Sequence, residues 1–152
     1  MKRVVAAIVL MASSSFVIAD EVTCLAQNIY WEARNQSIQG MYAVADVTLN
    51  RVKDKRWPST VCEVVKQRKN AGGKWVCQFS WYCDGKNDIP KDETGWATAQ
   101  YVAGSILYGN KHRGLTEGAT HYHASYVRPK WTRDRGMNHV GRIGAHIFYR
   151  WD

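Results

Sequence analysis

The sequence predicts a single α+β domain, mainly helical, with a small antiparallel β-sheet or hairpin. Three observations predict it. Apolar residues recur at helical spacing through the first third of the chain. Strand-like alternation is confined to short runs in the middle and near the end. No repeat, low-complexity segment or linker interrupts residues 20–152. The chain has 152 residues, enough for one domain. With 45% hydrophobic and 22% charged residues it is globular in composition, not disordered.

The first element stands apart from the fold. Lys2 and Arg3 precede a 16-residue apolar run, "VVAAIVLMASSSFVIA", that ends at Ala19. A short basic region, an apolar core and small residues before the boundary describe a secretory signal. The run is shorter than the ~20 residues of a membrane span. Residues 1–19 are therefore read as a signal peptide and residues 20–152 as the domain, with a retained anchor as the other reading. Membrane contact is expected only through the signal segment.

Val22, Leu25, Ala26, Ile29, Tyr30 and Ala33 share one helical face. Glu32 stands at the edge of that face, seven residues after Leu25. A second helix is predicted from Ser37, its N-cap, to about Lys53. Its apolar residues spread over more than one side, so it is expected to be buried. Thr60 and Glu63 have capping-box spacing for a short third helix ending near Gln67. "NAGGKW" reads as a turn, and "KWVCQFSWYCDG" alternates after it as a hairpin or a disulfide-closed loop. A fourth helix is predicted from about Gly95 to Tyr108, with Gly109 as its stop. "ATHYHA" and "AHIFYR" are strand-like, separated by a loop with Pro129 and Gly136.

Charge and cysteines narrow the setting. Losing Lys2 and Arg3 with the signal takes the net charge from +8 to +6. That basicity serves solubility or an acidic cell envelope. No nucleic-acid motif is present, so no nucleic-acid partner is expected. Cys24, Cys62, Cys77 and Cys83 form an even set in an exported small domain, which reads as two disulfides. Cys77–Cys83 is expected as a local link across the hairpin, leaving Cys24 with Cys62. A zinc site is the alternative, but there is no CxxC spacing.

Glu32, in "NIYWEARNQ", is the carboxylate with chemistry to offer. Burial beside aromatic walls disfavours its charged form and makes it a proton donor near neutral pH. That is the acid half of glycoside cleavage. The structural alternative is a salt bridge to Arg34 or Arg51. A second carboxylate is hard to find. Asp46 lies in an apolar helix, where a hydrogen-bonded structural role competes with a catalytic one. His121 and His123 share one face of a predicted strand and could ligate a metal or touch substrate. Two hydrogen-bonded, partly buried histidines are the other reading.

Three ordered blocks, "NIYWEARNQSIQGMYAVADVTLNRV", "VCQFSW" and "GATHYHASYVRPKW…IGAHIFYR", resemble the SleB/CwlJ-type cell-wall hydrolases over roughly residues 24–150. The resemblance implies a lysozyme-like catalytic domain acting on peptidoglycan glycan strands. It assigns the catalytic role to Glu32 and implies a lytic-transglycosylase reaction at the MurNAc–GlcNAc bond. There one glutamate acts as acid and then base, giving a 1,6-anhydro product. It makes Gln78, Ser80, His121, Tyr122, His123 and Tyr126 candidates for substrate binding. No cofactor or metal is implied, and a monomer is expected. The chain lacks the appended binding module of spore enzymes and has four cysteines they do not imply. A periplasmic location, or a phage lysis set acting there, fits better than a spore. The rival functions are a zinc amidase using His121 and His123, and a non-catalytic glycan-binding module.

Overall fold

A computed structural model describes residues 13–152. Four helices form one side of the molecule: α1 (Ser13–Ala33), α2 (Ile38–Lys53), α3 (Val61–Val65) and α4 (Glu93–Gly109). Two small antiparallel sheets complete it. β1 (Arg68–Ala71) pairs with β2 (Lys74–Cys77) as a hairpin. β3 (His121–Ala124), β4 (Met137–Ile143) and β5 (His146–Trp151) form a three-stranded sheet in the order β3–β5–β4. The architecture is the expected helix-rich α+β.

The core lies where α1, α2, α3 and α4 meet. Leu25, Ala26, Ile29 and Tyr30 of α1 are fully buried there, with Val44, Val64, Val102 and Ile106. α2 is buried from Gly40 to Leu49 because α1 packs on one side while the three-stranded sheet takes another. Ala43 and Val47 of α2 join Ala119 and Phe148 in a second apolar cluster beneath the sheet. The helix caps follow the sequence. The Ser37 hydroxyl accepts from Gly40 N–H at 3.3 Å. The Thr60 hydroxyl accepts from Glu63 N–H at 3.3 Å and donates to the Glu63 carboxylate at 2.8 Å.

Several elements depart from the sequence reading. α1 starts at Ser13, inside the segment assigned to the signal. Residues 1–12, the rest of that segment, lie outside the described residues. No helix among the described residues is long and apolar enough to cross a membrane. Of the two readings of the alternating stretch, the disulfide-closed loop holds beyond Cys77: the strand ends there, Ser80–Cys83 is a 3₁₀ turn, and the Cys77–Cys83 disulfide closes it. The cause is a buried polar tie. Trp81 Nε1 donates to Asn28 Oδ1 at 3.0 Å, and Asn28 Nδ2 donates to Thr48 Oγ1 at 3.2 Å. Alternation could not foresee that Trp81 would turn inward to a helix 53 residues away. α4 runs through Gly109, and Asn110 takes the left-handed position at its end, with φ 50°. β4 was expected as loop: it is polar and lies at the sheet edge, so no period-two apolar signal marks it.

Disulfides join Cys24 to Cys62 and Cys77 to Cys83. The first ties α1 to α3 beside Glu21, whose carboxylate accepts from Val61 N–H at 2.6 Å and Cys62 N–H at 3.2 Å. It closes a span of 38 residues, for which chain entropy gives about 4 kcal/mol. Replacing Cys24 and Cys62 together with alanine is expected to lower the urea-unfolding free energy by about that amount. A loss below about 1 kcal/mol would mean that packing alone holds α3.

Asp46 is a structural anchor. It is fully buried, and its oxygens accept from Gly114 N–H at 3.0 Å, Thr116 N–H at 3.0 Å and Thr116 Oγ1 at 2.6 Å, and pair with Arg113. These bonds hold the loop between α4 and β3 onto α2. Asp46→Ala would leave several buried donors unpaired and cost roughly 3–5 kcal/mol, read by thermal and urea melts. A stable variant that loses only activity would contradict this role.

Candidate functional site

Glu32 sits in the last turn of α1, one residue before its end, at the edge of its apolar face. Its neighbours explain the placement. Tyr30 and Ala33 turn into the core. Trp31 lies against Trp81 with ring centroids 6.5 Å apart, and its indole N–H donates to the Asp88 carbonyl at 3.3 Å. Glu32 is left half-buried at the junction of two hollows. The larger, about 570 Å³, is walled by Trp31 and Trp81 and closed by Asp84, Lys86, Asp88 and Lys91. The smaller, about 270 Å³, is formed with Arg51, Gln78, Ser80, His121, Tyr122 and Trp131. Glu32 and Ser80 line both.

One hydrogen bond fixes the carboxyl. The Tyr122 hydroxyl donates to Glu32 Oε2 at 2.8 Å, across 90 residues of sequence. Burial holds the Tyr122 phenol well above its ordinary range, and the nearby Glu32 charge adds to this, so it stays a donor. Burial also raises Glu32, against the smaller lowering effects of the Tyr122 bond and the Arg51 charge. With Oε2 taken, Oε1 is the oxygen free to carry a proton into the groove. Glu32 makes no ion pair among the described residues. Arg34 instead donates to the Tyr30 hydroxyl at 3.0 Å and lies over the Trp31 ring.

Arg51, which the sequence named only as a possible salt-bridge partner of Glu32, stands beside it in the smaller hollow. It is 3% exposed, and its Nε donates to the Thr120 carbonyl at 2.7 Å. Burial pulls it down to about 10, so it remains a cation at neutral pH. Its Nη1 is buried with no protein acceptor. An arginine in the last turn of a helix looks like ordinary C-terminal charge complementarity. Only the tertiary fold brings it beside Glu32 and Tyr122.

The remaining candidates separate. Gln78 and Ser80 are exposed and line the groove. His121 lines it too, among Trp57, Trp131 and Trp151. Burial and the charges of Arg51 and Arg56 lower His121 to about 4, so it is a neutral imidazole there. His123 shares its face through Trp131, but its ring is engaged internally. Nδ1 faces the Ala124 carbonyl at 2.8 Å, and Nε2 faces the Tyr149 hydroxyl at 3.3 Å. Tyr126 is 87% exposed and lines neither hollow. Among the described residues, neither histidine belongs to a cluster of three possible metal ligands. The cluster that exists, Asp20 with Cys24 and Cys62, has its thiols consumed by the disulfide.

A half-buried acid in a groove between aromatic walls suits acid-assisted bond cleavage. The chain belongs to the Cell Wall Hydrolase family, whose profile matches residues 35–149. The match begins three residues after Glu32, so the case for Glu32 rests on geometry. The chain is 30% identical over 130 residues to the spore cortex-lytic enzyme of Halalkalibacterium halodurans. That alignment covers 85% of this chain and 34% of the relative, so the chain spans about a third of the relative's length. Its fold matches the catalytic domain of SleB, a germination-specific lytic transglycosylase, from Bacillus anthracis. The TM-score is 0.65 at 25% identity, covering 93% of this chain and 100% of that one. The catalytic domain of the Bacillus cereus SleB protein matches with TM-score 0.61 at 25% identity, covering 87% of this chain and 91% of that one.

Held above its unfolded value, the Glu32 carboxyl favours the fold at low pH. That contribution is lost as pH rises through the folded value. A site-resolved carbon-13 titration is expected to place Glu32 above an ordinary glutamate. Tyr122→Phe removes a bond that favours the charged form, so it should move the midpoint higher still. A midpoint that falls in the variant would contradict the donor role of Tyr122.

Proposed function

We propose that this chain cleaves the MurNAc–GlcNAc bond of peptidoglycan as a lytic transglycosylase, with Glu32 as acid and then base. The observation that carries the reading is the Glu32 carboxyl itself: raised by burial, oriented by Tyr122, and alone among carboxylates in the smaller hollow. Asp84 and Asp88 stand in the larger cleft, on the loop beyond Trp81. Family membership and the resemblance to a germination-specific lytic transglycosylase support the same reaction.

The steps balance without water. Glu32 Oε1 gives its proton to the glycosidic oxygen, and the bond from that oxygen to the muramic C1 breaks. The N-acetylglucosamine leaves with its 4-hydroxyl restored. The Glu32 carboxylate then takes the proton of the muramic C6 hydroxyl, and O6 bonds to C1, closing the 1,6-anhydro ring. Arg51 and Tyr122 stabilise the carboxylate between the two transfers. A carboxyl that must serve in both states is well placed where burial and a cation oppose one another. Gln78, Ser80 and the neutral His121 offer hydrogen bonds to sugar hydroxyl and acetamido groups. The two disulfides point to an oxidising compartment outside the cytoplasm. With the basic apolar leader, they support a periplasmic site of action.

Purified sacculi treated with the protein are expected to release muropeptides one water lighter than hydrolysed ones, identified by mass spectrometry. Glu32→Gln should cut the rate roughly 10²–10⁴-fold. Full activity in that variant would reject Glu32 as the acid. Hydrated, reducing muramic ends would make the enzyme a hydrolase and turn attention to Asp84 and Asp88. Free stem peptides would mean an amidase.

A further inference from the structure

The groove does not end at the site just described. The smaller hollow shares Cys77 and Gln78 with a third one of about 430 Å³, lined by Gln67, Arg68, Lys69 and Val76. That hollow shares Gln67 and Arg68 with a fourth of about 430 Å³, reaching Pro58, Glu63 and Lys66. Consecutive hollows share lining residues and so follow one another along the surface, with Glu32 lining the first two. One side of Glu32 is walled by Trp31 and Trp81. The other runs along the β1–β2 hairpin.

The hairpin and its flanks carry only cations. From Val64 to Cys83 there is no acid, while Lys66, Arg68, Lys69 and Lys74 are cations. Among the described residues none of these four is in an ion pair. Every residue of β1 is exposed, as are Lys74, Trp75 and Val76 of β2. Trp75 is 50% exposed, and the Arg68 guanidinium lies 4.3 Å from its ring centroid, which extends the cation along the strand. A two-stranded hairpin with no buried face is marginal by itself. This one is held by its junction with the 3₁₀ turn Ser80–Cys83 and by the Cys77–Cys83 disulfide. The same turn carries Ser80 and Trp81 of the groove around Glu32. The hairpin is thus pinned to the site while its cations stay unneutralised.

We propose that the β1–β2 hairpin is a binding subsite for the acidic stem peptides of a glycan strand lying in the groove. The register puts Arg68 with Trp75 on one face of the hairpin and Lys69 with Lys74 on the other. Peptides crossing the hairpin meet Arg68 beside Trp75, which covers their apolar side chains, and Lys69 and Lys74 along the opposite face. The inference rests on the peptidoglycan reading above and adds to it a preference for peptide-bearing over denuded strands. Charge complementarity and continuity with the groove carry it. A cationic strip beside a neutral sugar polymer has nothing to neutralise it, whereas peptides hanging from alternate sugars supply carboxylates along the whole strand.

The test uses the full chain with Arg68→Gln, Lys69→Gln and Lys74→Gln combined, exposed changes that leave the core untouched. Two substrates are compared: intact sacculi, and glycan strands stripped of stem peptides by an amidase. The triple variant is expected to lose about tenfold in rate on intact sacculi at low salt and to show a weaker salt dependence. It should match the wild type on stripped strands. Unchanged cleavage of intact sacculi, or an equal loss on both substrates, would overturn the proposal. So would loss of binding to phosphatidylglycerol vesicles with sacculus cleavage intact, which would assign the hairpin to a membrane surface. If the wild type releases no glycan fragment from either substrate, the enzymatic reading fails by itself. Co-sedimentation with intact and stripped sacculi then decides the hairpin separately: equal binding by variant and wild type overturns it, and selective loss on intact sacculi sustains it.

Discussion

The hydrogen bond from Tyr122 to Glu32 is the constraint around which the molecule is arranged. It joins the last turn of α1 to β3 across 90 residues of sequence. Tyr122 packs against both apolar clusters, the one between the helices and the one beneath the sheet. The bond therefore has correct length only when helices and sheet are docked together. Burial around the pair holds both groups toward their protonated forms. For Glu32 that shift toward the protonated form also withdraws stability from the fold at neutral pH.

Other parts offset that cost. Asp46 gathers the loop between α4 and β3 onto α2, so that β3 leaves the loop in register with β5. Asn28 links Thr48 of α2 to the Trp81 indole, which sets the aromatic wall beside Glu32. Arg51 grips the Thr120 carbonyl directly before β3 and places its charge near the pair. Each tie is a buried polar contact between segments far apart in sequence. Such contacts position groups more sharply than apolar packing does, since a hydrogen bond tolerates little change in distance or angle.

Electrostatics along the groove are uneven. Around Glu32 the smaller hollow holds one cation, one acid and neutral hydrogen-bonding groups. The hairpin arm holds Arg68 and Lys69, neither in an ion pair among the described residues, and the opposite loop mixes Asp84 and Asp88 with Lys86 and Lys91. The proposed chemistry needs the first region, and the proposed peptide subsite uses the second. The Cys77–Cys83 disulfide couples them, because the turn it closes contributes to both.

The helices, the Ser37 and Thr60 caps, the position of Glu32 at the edge of an apolar face and the even set of cysteines were legible in the sequence. They depend on residues three, four or seven apart, whose relation a helix settles locally. The shared face of His121 and His123 was legible for the same reason, through the two-residue period of a strand. Other features were decided only by the tertiary structure. Trp81 left the strand pattern to reach Asn28, β4 formed without an apolar signal, and Arg51, expected as a possible salt-bridge partner of Glu32, stands near it but grips the Thr120 carbonyl instead. Tyr126, two residues beyond β3, was carried outward, while Tyr122 met Glu32. These outcomes depend on which distant segments come together, and local periodicity carries no information about that. A hydrogen bond across 90 residues is settled by docking, and the sequence records only the two groups able to make it.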